Sequence, residues 1–196
     1  MYKNKIITEP KWKSWIVETQ GPLLTPEQCR MVIDCGRSQP PQKAEVGLNK
    51  PGGGVDTEKR VTTISWIPFK ALPQLYDTLD TFIQKANLNH FGFDDIRITE
   101  QAQFTEYPEG GFYDWHMDTD VVGLHEPPVR KISMTLLLNH ESEFEGGDLE
   151  LLSPGKFKPM QQGHALCFAS FLNHRVNPVK RGIRQSLVWF GGKPFK

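Results

Sequence analysis

Short strand-like segments fill the chain from residue 96 onward, and this pattern limits the fold more than any other feature of the sequence. Clusters of Gly, Pro, Asn and Asp separate the segments, and no helical periodicity lies between them. Strands that follow one another without crossover helices indicate antiparallel pairing in two sheets, as in a sandwich or a jelly roll. The candidate strands are residues 96–107, 112–117, 131–139, 148–152, 165–169, 175–179 and 185–190.

Two helical patterns precede the strands. The run Thr25-Pro26-Glu27-Gln28 offers an N-cap, a proline at the first helical position and an acid in the first turn, and this helix should end near Gly36. Apolar residues at three- and four-residue steps predict a second helix from about Phe69 to Leu88. We therefore predict a mostly β fold with flanking α-helices, in which the N-terminal helices pack on one sheet. We expect a single domain over residues 1–196, with a helical part at 1–95 and a β core at 96–192.

The composition argues against several classes of protein. The 196 residues include 23 basic and 23 acidic side chains, so nothing supplies the net positive charge that binding to nucleic acid requires. The three cysteines form no CxxC pair, which fits reduced thiols. No signal peptide is evident at the N-terminus, and no apolar stretch approaches the roughly 18 residues of a membrane helix. We expect a soluble, cytoplasmic protein that contacts no membrane; its oligomeric state is left open.

Two long loops could border a site. Residues 39–60 contain two adjacent prolines and three consecutive glycines, with few large apolar residues. This segment is either a plain surface connection or a lid, because structureless loops of this length are often functional. Residues 119–130 form a second loop, which follows directly on the polar motif described next.

The polar motif is Trp115-His116-Met117-Asp118. Successive side chains alternate faces in a strand, so His116 and Asp118 should project together and offer two neighbouring ligands to a divalent metal. A strand His and Asp are more often a hydrogen-bonded surface pair, and the motif alone is weak. His174, before another strand, would complete a set of two histidines and one carboxylate, as in non-haem iron(II) sites.

Arg184 strengthens the metal interpretation. It lies ten residues after His174 and begins the last strand, where its guanidinium could bind a carboxylate with two hydrogen bonds. An iron that chelates a 2-oxo acid needs such a cation for the far end of that molecule. Tyr107, at the end of the strand before His116, could donate its hydroxyl to the same carboxylate. Thr135 lies on the strand face that could border this co-substrate.

These motifs resemble those of the 2-oxoglutarate/iron(II) dioxygenases of the prolyl 4-hydroxylase class. The run 174–184, which contains His174 and Arg184, is especially similar to the bacterial PKHD-type hydroxylases. The resemblance covers roughly residues 97–192. It rests on the runs Tyr107-Pro108-Glu109-Gly110-Gly111-Phe112-Tyr113-Asp114-Trp115-His116-Met117-Asp118, 130–139, 144–151 (FEGGDLEL), 163–170 and 174–184 (HRVNPVKRGIR).

The resemblance implies a double-stranded β-helix, or jelly-roll, core with iron(II) near one open end. It implies His116, Asp118 and His174 as metal ligands, and Arg184 as the residue that binds the distal carboxylate of 2-oxoglutarate. O2 would be the second co-substrate, and ascorbate is a candidate reductant.

The substrate is less constrained than the cofactor. The leading interpretation is hydroxylation of a prolyl residue in a peptide or protein, with Arg60, Tyr113 and Trp189 as candidate substrate-lining residues. One alternative keeps the chemistry but acts on a free amino acid or another small molecule. A second alternative, of a different class, is a jelly-roll binding module that holds a metal without catalysis.

Overall fold

The computed structural model describes residues 14–43, 57–119, 129–152, 157–158 and 160–193. The regular structure of these residues consists of two α-helices, a π-helical turn, a short 3-10 helix (Glu141–Glu143) and fifteen strands. The helices are α1 (Pro26–Ser38) and α2 (Pro73–Ala86), and α2 continues into a π-helical turn, Asn87–Phe91. The strands are β1 (Ile16–Glu18), β2 (Gln42–Lys43), β3 (Arg60–Val61), β4 (Thr63–Ile67), β5 (Arg97–Ile98), β6 (Ala102–Tyr107), β7 (Phe112–His116), β8 (Val129–Leu137), β9 (Phe144–Gly146), β10 (Leu149–Leu151), β11 (Phe157–Lys158), β12 (Ala165–Ala169), β13 (His174–Val176), β14 (Val179–Gly182) and β15 (Arg184–Lys193).

The strands form a large sheet, a smaller one and a two-stranded ribbon. The large sheet has the order β1-β12-β8-β15-β6-β4-β2, with β5 also paired to β15, and the smaller sheet has the order β11-β10-β13-β7-β3. β14 pairs with β9 in the ribbon. Every pairing among the described strands is antiparallel. The predicted mostly β fold with an antiparallel jelly-roll core is thereby confirmed.

The helices begin where the sequence chemistry requires. The Thr25 side chain accepts a hydrogen bond from the Gln28 backbone N–H, and the Gln28 side chain accepts one from the Thr25 N–H, which forms a capping box. α1 ends at Ser38, two residues beyond the predicted end. α2 begins at Pro73 rather than near residue 69, because a proline lacks the N–H that a helix interior needs and is best placed in the first turn.

The two faces of the large sheet have different roles. One face packs against the helices: the ring centroids of Phe82 and Trp189 are 6.4 Å apart, and the Phe104 ring leaves no room for a side chain at Gly36. Side chains alternate along β15, so Arg184 and Ser186 lie on the other face.

Part of each predicted loop lies outside the described residues. This applies to 44–56 in the segment 39–60, and to 120–128 in the segment 119–130. Among the described residues, no helix has the length and apolar character needed to cross a membrane.

Candidate metal centre

Three polar side chains, those of His116, Asp118 and His174, converge on one point of the fold. Their candidate ligand atoms all lie within 4.8 Å of one another. The Nε2 atom of His116 is 3.6 Å from one carboxylate oxygen of Asp118, and the Nε2 atom of His174 is 3.4 Å from the other. The structure therefore brings together the three residues that the sequence indicates as candidate metal ligands. Two imidazoles and a carboxylate form the donor set that non-haem iron(II) sites use, and the residues present therefore fit that metal.

Two strands and a loop hold the three residues in place. His116 ends β7 and His174 begins β13, and the two are paired residues in the smaller sheet. Asp118 lies beyond the end of β7, where its backbone N–H donates to the Ser170 carbonyl over 2.9 Å. The three residues therefore come from two separate parts of the chain, and backbone hydrogen bonds fix the position of each part.

Backbone carbonyls orient both imidazoles. The Nδ1 atom of His116 is 2.7 Å from the Asp114 carbonyl oxygen, and that of His174 is 3.0 Å from the Leu172 carbonyl oxygen. A carbonyl oxygen only accepts, so each Nδ1 carries the hydrogen and donates it. Each Nε2 then presents a free lone pair toward Asp118, which is the tautomer that a metal ligand needs.

The electrostatics of the cluster favour the ligand protonation states. Burial and the neighbouring His174 lower the pKa of His116 to about 3, although Asp118 acts in the opposite direction. Burial opposes ionisation of Asp118, but the two histidines and a hydrogen bond from Ser133 outweigh it and lower the pKa of its carboxyl. At neutral pH His116 is thus a neutral imidazole and Asp118 a carboxylate.

A bulge in β7 places Tyr113 beside the cluster. Val176 pairs with Tyr113 and His174 with His116, so three steps along β7 face two steps along β13. Tyr113 and His116 consequently face the same side, with their ring centroids 3.4 Å apart and nearly parallel. The Arg60 guanidinium lies over the Tyr113 ring, 4.3 Å from its centroid. Both of these predicted substrate-lining residues lie next to the candidate metal centre.

A buried cation, the guanidinium of Arg184, lies on the face of the large sheet opposite the helices, which is the interior face of the fold. Arg184 is 3% exposed, donates to the Ser186 hydroxyl over 3.0 Å and lies 5.7 Å from the Tyr107 ring centroid. Among the described residues, no carboxylate lies within salt-bridge distance of its guanidinium. Burial lowers the pKa of Arg184, against the weaker influence of Tyr107 and the exposed Asp148. A buried guanidinium without a carboxylate partner is costly, and an incoming anion would relieve that cost.

The remaining predicted residues fall on different faces. Thr135 pairs with Val188 of β15, on the same sheet face as Arg184, and is buried. Trp189 is 0% exposed and lies on the opposite, helix-covered face. The expectation that Trp189 lines the substrate path is therefore corrected: in an alternating strand it cannot share a face with Arg184. Sequence reasoning missed Ser186, which two-residue alternation from Arg184 could have identified.

The comparisons with known proteins agree with this geometry. Residues 102–191 match the sequence profile of the 2OG-Fe(II) oxygenase superfamily. A PKHD-type hydroxylase of Acidovorax ebreus is 33% identical over 99 residues, which is 47% of this chain and 44% of that protein. A PKHD-type hydroxylase of Idiomarina loihiensis is 39% identical over 98 residues, 47% of this chain and 43% of that protein. The matched part of the chain thus spans a little less than half the length of these curated relatives.

Solved structures show the same fold over almost the whole chain. A prolyl-4-hydroxylase of Pseudomonas putida superposes with a TM-score of 0.66 at 23% identity, covering 91% of this chain and 93% of that one. A prolyl hydroxylase of Trichoplax adhaerens, solved with a hypoxia inducible factor peptide fragment, superposes with a TM-score of 0.68 at 18% identity and covers 91% and 83%. At these identities the likeness establishes the fold.

Proposed function

We propose that this chain, of which residues 102–191 match the profile of the 2OG-Fe(II) oxygenase superfamily, is a dioxygenase that hydroxylates a prolyl residue in a peptide or protein. The observation that carries this proposal is the pairing of two features in one interior. A two-histidine, one-carboxylate cluster lies against the interior face of the large sheet, where the ring centroid of Phe168 is 4.6 Å from that of His174. The same face carries a buried arginine that has no carboxylate partner among the described residues.

His116, Asp118 and His174 would hold iron(II) in this proposal. A facial set of three protein ligands leaves coordination positions open for a chelating co-substrate and for O2. Bound iron(II) and 2-oxoglutarate would supply the oxidation: one oxygen atom of O2 enters a C–H bond of the substrate, and the other enters 2-oxoglutarate, which leaves as succinate and carbon dioxide. The chain's own residues hold these molecules in position and exclude water.

Arg184 would bind the distal carboxylate of 2-oxoglutarate. It is on β15, whose first residue pairs with Tyr107 of β6, so both side chains reach the same end of the interior. Tyr107 is buried, and Thr135 lies on the same face of the sheet, two strands from Tyr107. We assign these three residues to the co-substrate pocket. Arg60 and Tyr113, which stack beside His116, are assigned to the substrate side.

Peptide hydroxylation tests the proposed activity. Incubation of the protein with iron(II), 2-oxoglutarate, ascorbate and a library of proline-containing peptides should add one oxygen atom to at least one peptide, with one succinate formed per oxygen added. Mass spectrometry of peptides and succinate measures both. Succinate formed only with free amino acids or other small molecules would replace the peptide substrate. Failure to form succinate with any substrate, with iron bound, would favour a metal-binding module.

Gly147 should be required for the position of Arg184. Its φ is +67°, and a Cβ added there would lie 2.8 Å from the Arg184 Cδ. Gly147→Ala is expected to destabilise the fold by about 1–2 kcal/mol, since a left-handed conformation is strained for alanine. It should also weaken 2-oxoglutarate binding, because the clash moves the guanidinium. Urea unfolding and calorimetric titration measure the two effects.

Gly110→Ala is the matched control for this prediction. Gly110 has a similar φ of +77°, but an added Cβ would meet nothing within 4 Å. It should show the backbone strain without the loss of 2-oxoglutarate affinity. Equal affinities of the two variants would contradict the role given to Gly147.

A further inference from the structure

We propose that the Thr105 hydroxyl is a further donor to the distal carboxylate of 2-oxoglutarate, beside Arg184 and Ser186. This inference rests on the proposed function and deepens it, since it adds residues that determine which diacid the pocket accepts.

The register of two strands brings these residues together. In the antiparallel pair of β6 and β15, Thr105 is opposite Ser186 and Tyr107 is opposite Arg184. Residues two apart in a strand share a face, and directly opposite residues have their Cβ atoms about 4.5–5.5 Å apart. The four side chains therefore form one compact block on the interior face of the large sheet.

Thr105 has a buried hydroxyl that no other described residue engages. The residue is 0% exposed, and its Oγ1 has no hydrogen-bond partner within the described part of the chain. Buried hydroxyls are nearly always hydrogen-bonded, because an unpaired one forfeits its bonds to water without replacement. Among the described residues, this hydroxyl has no partner and the neighbouring Arg184 guanidinium has no carboxylate partner, which indicates a ligand that both groups share.

Ser186 has one hydrogen left to donate. Its oxygen accepts from the Arg184 guanidinium over 3.0 Å, so its own O–H remains available. An ionised carboxylate has about four acceptor positions, of which a guanidinium fills two. The hydroxyls of Thr105 and Ser186 can occupy the others. A guanidinium with two hydroxyls on one face thus matches a single carboxylate.

A purely structural role would give Thr105 a different signature. If the residue only fills space, valine replaces it without effect on any ligand, since the two side chains have the same shape. If the hydroxyl binds the ligand, Thr105→Val removes an unpaired polar group from the free protein but a hydrogen bond from the complex. Stability of the free protein should then be kept or increased, while ligand affinity falls.

The experiment measures 2-oxoglutarate binding by calorimetry to the iron(II)-loaded protein under argon, where no turnover occurs. Thr105→Val should weaken binding about tenfold, equivalent to about 1.4 kcal/mol, while its ligand-free unfolding temperature does not fall. Thr105→Ser, which keeps the hydroxyl, should bind within about threefold of the parent chain. Ser186→Ala should weaken binding as well, by a similar factor.

Thr99→Val is the matched control. Thr99 has the only other threonine Oγ1 that is buried without a partner among the described residues. It directly follows β5, which pairs with Gly191 and Gly192 at the far end of β15 from Arg184. The seven residue-to-residue steps from 184 to 191 span roughly 23 Å of strand. This variant should therefore leave 2-oxoglutarate affinity unchanged.

The outcomes separate this inference from the proposed function. Parent-like affinity in Thr105→Val, or an equal loss in Thr105→Ser, overturns the role of the hydroxyl while the function stands. Absence of 2-oxoglutarate binding in the parent chain with iron bound overturns both. Loss of affinity in Thr105→Val together with a large fall in its unfolding temperature assigns Thr105 to packing, and that result also overturns the inference.

Discussion

Asp118→Ala is expected to abolish iron(II) binding and, with it, hydroxylation. Asp118 is the one anionic member of the cluster, and its two carboxylate oxygens face the two histidine Nε2 atoms. Removing it leaves two imidazoles, whose ring centroids are 4.0 Å apart, and no anionic ligand. Loss of a group that merely supports a ligand already costs 10- to 100-fold in metal affinity. Loss of the ligand itself should cost more than about 100-fold, which equilibrium dialysis of iron(II) under argon measures.

Asp114→Ala provides the control for that change. Asp114 is exposed and lies two residues before His116, to which it offers its backbone carbonyl rather than its side chain. Its removal changes the net charge by the same amount in the same segment. We expect iron affinity within about threefold of the parent chain, since an exposed charge is screened by solvent and salt. Equal iron affinity of Asp118→Ala and Asp114→Ala would remove Asp118 from the metal site.

Arg184→Ala is expected to weaken 2-oxoglutarate binding by about 100-fold while iron affinity changes little. The pocket would lose a buried, charge-assisted pair, and truncating one partner of such a pair costs about 2–5 kcal/mol. The metal ligands are on other strands, β7 and β13, and should be undisturbed. Calorimetric titration of the iron(II)-loaded protein with 2-oxoglutarate under argon gives the first quantity, and iron dialysis gives the second.

Two further variants sharpen this test. Arg181→Ala removes an arginine from the neighbouring β14, where its side chain is 73% exposed. It should leave 2-oxoglutarate affinity unchanged. Arg184→Lys keeps the charge but loses the planar pair of donors, and an intermediate affinity is expected. A parallel loss of iron and 2-oxoglutarate binding in Arg184→Ala would contradict the role given to Arg184.

Two of the three candidate metal ligands, His116 and Asp118, could be predicted from a short-range rule, whereas His174 was identified from the distant run 174–184. Alternation predicted that His116 and Asp118 share a face, and they do. The strand itself ends at His116, however, and the Ser170 carbonyl holds the Asp118 backbone. The sequence pattern identified the residues but not the contact that fixes the second one. A backbone hydrogen bond to a distant segment leaves no signature in the side chains.

Tyr113 shows where alternation fails. In a regular strand Tyr113 and His116, three residues apart, would face opposite sides. The bulge against β13 adds a residue to β7 and turns Tyr113 toward His116. A bulge depends on the pairing of two strands that are about 60 residues apart in the sequence. Reading β7 alone could therefore only leave the orientation of Tyr113 open.

The last strand illustrates a different limit. The predicted end at Phe190 is three residues short, because glycine is disfavoured in strands and two glycines follow. In the fold, Ile83 and Ile96 fill the space where a Gly191 side chain would lie. Trp189 also lies on the helix-covered face, while Ser186 and Thr105 lie on the interior face. Which face is the interior became clear only from the position of the helices.

The measurement that tests the central claim most directly is an anaerobic titration of the protein with iron(II) and then 2-oxoglutarate, followed by visible absorption. The account predicts a charge-transfer band that requires both additions and weakens in Arg184→Ala. A folded protein that binds iron(II), yet shows no band when 2-oxoglutarate is added, would contradict the account and point to a metal-binding module or to a different metal's chemistry.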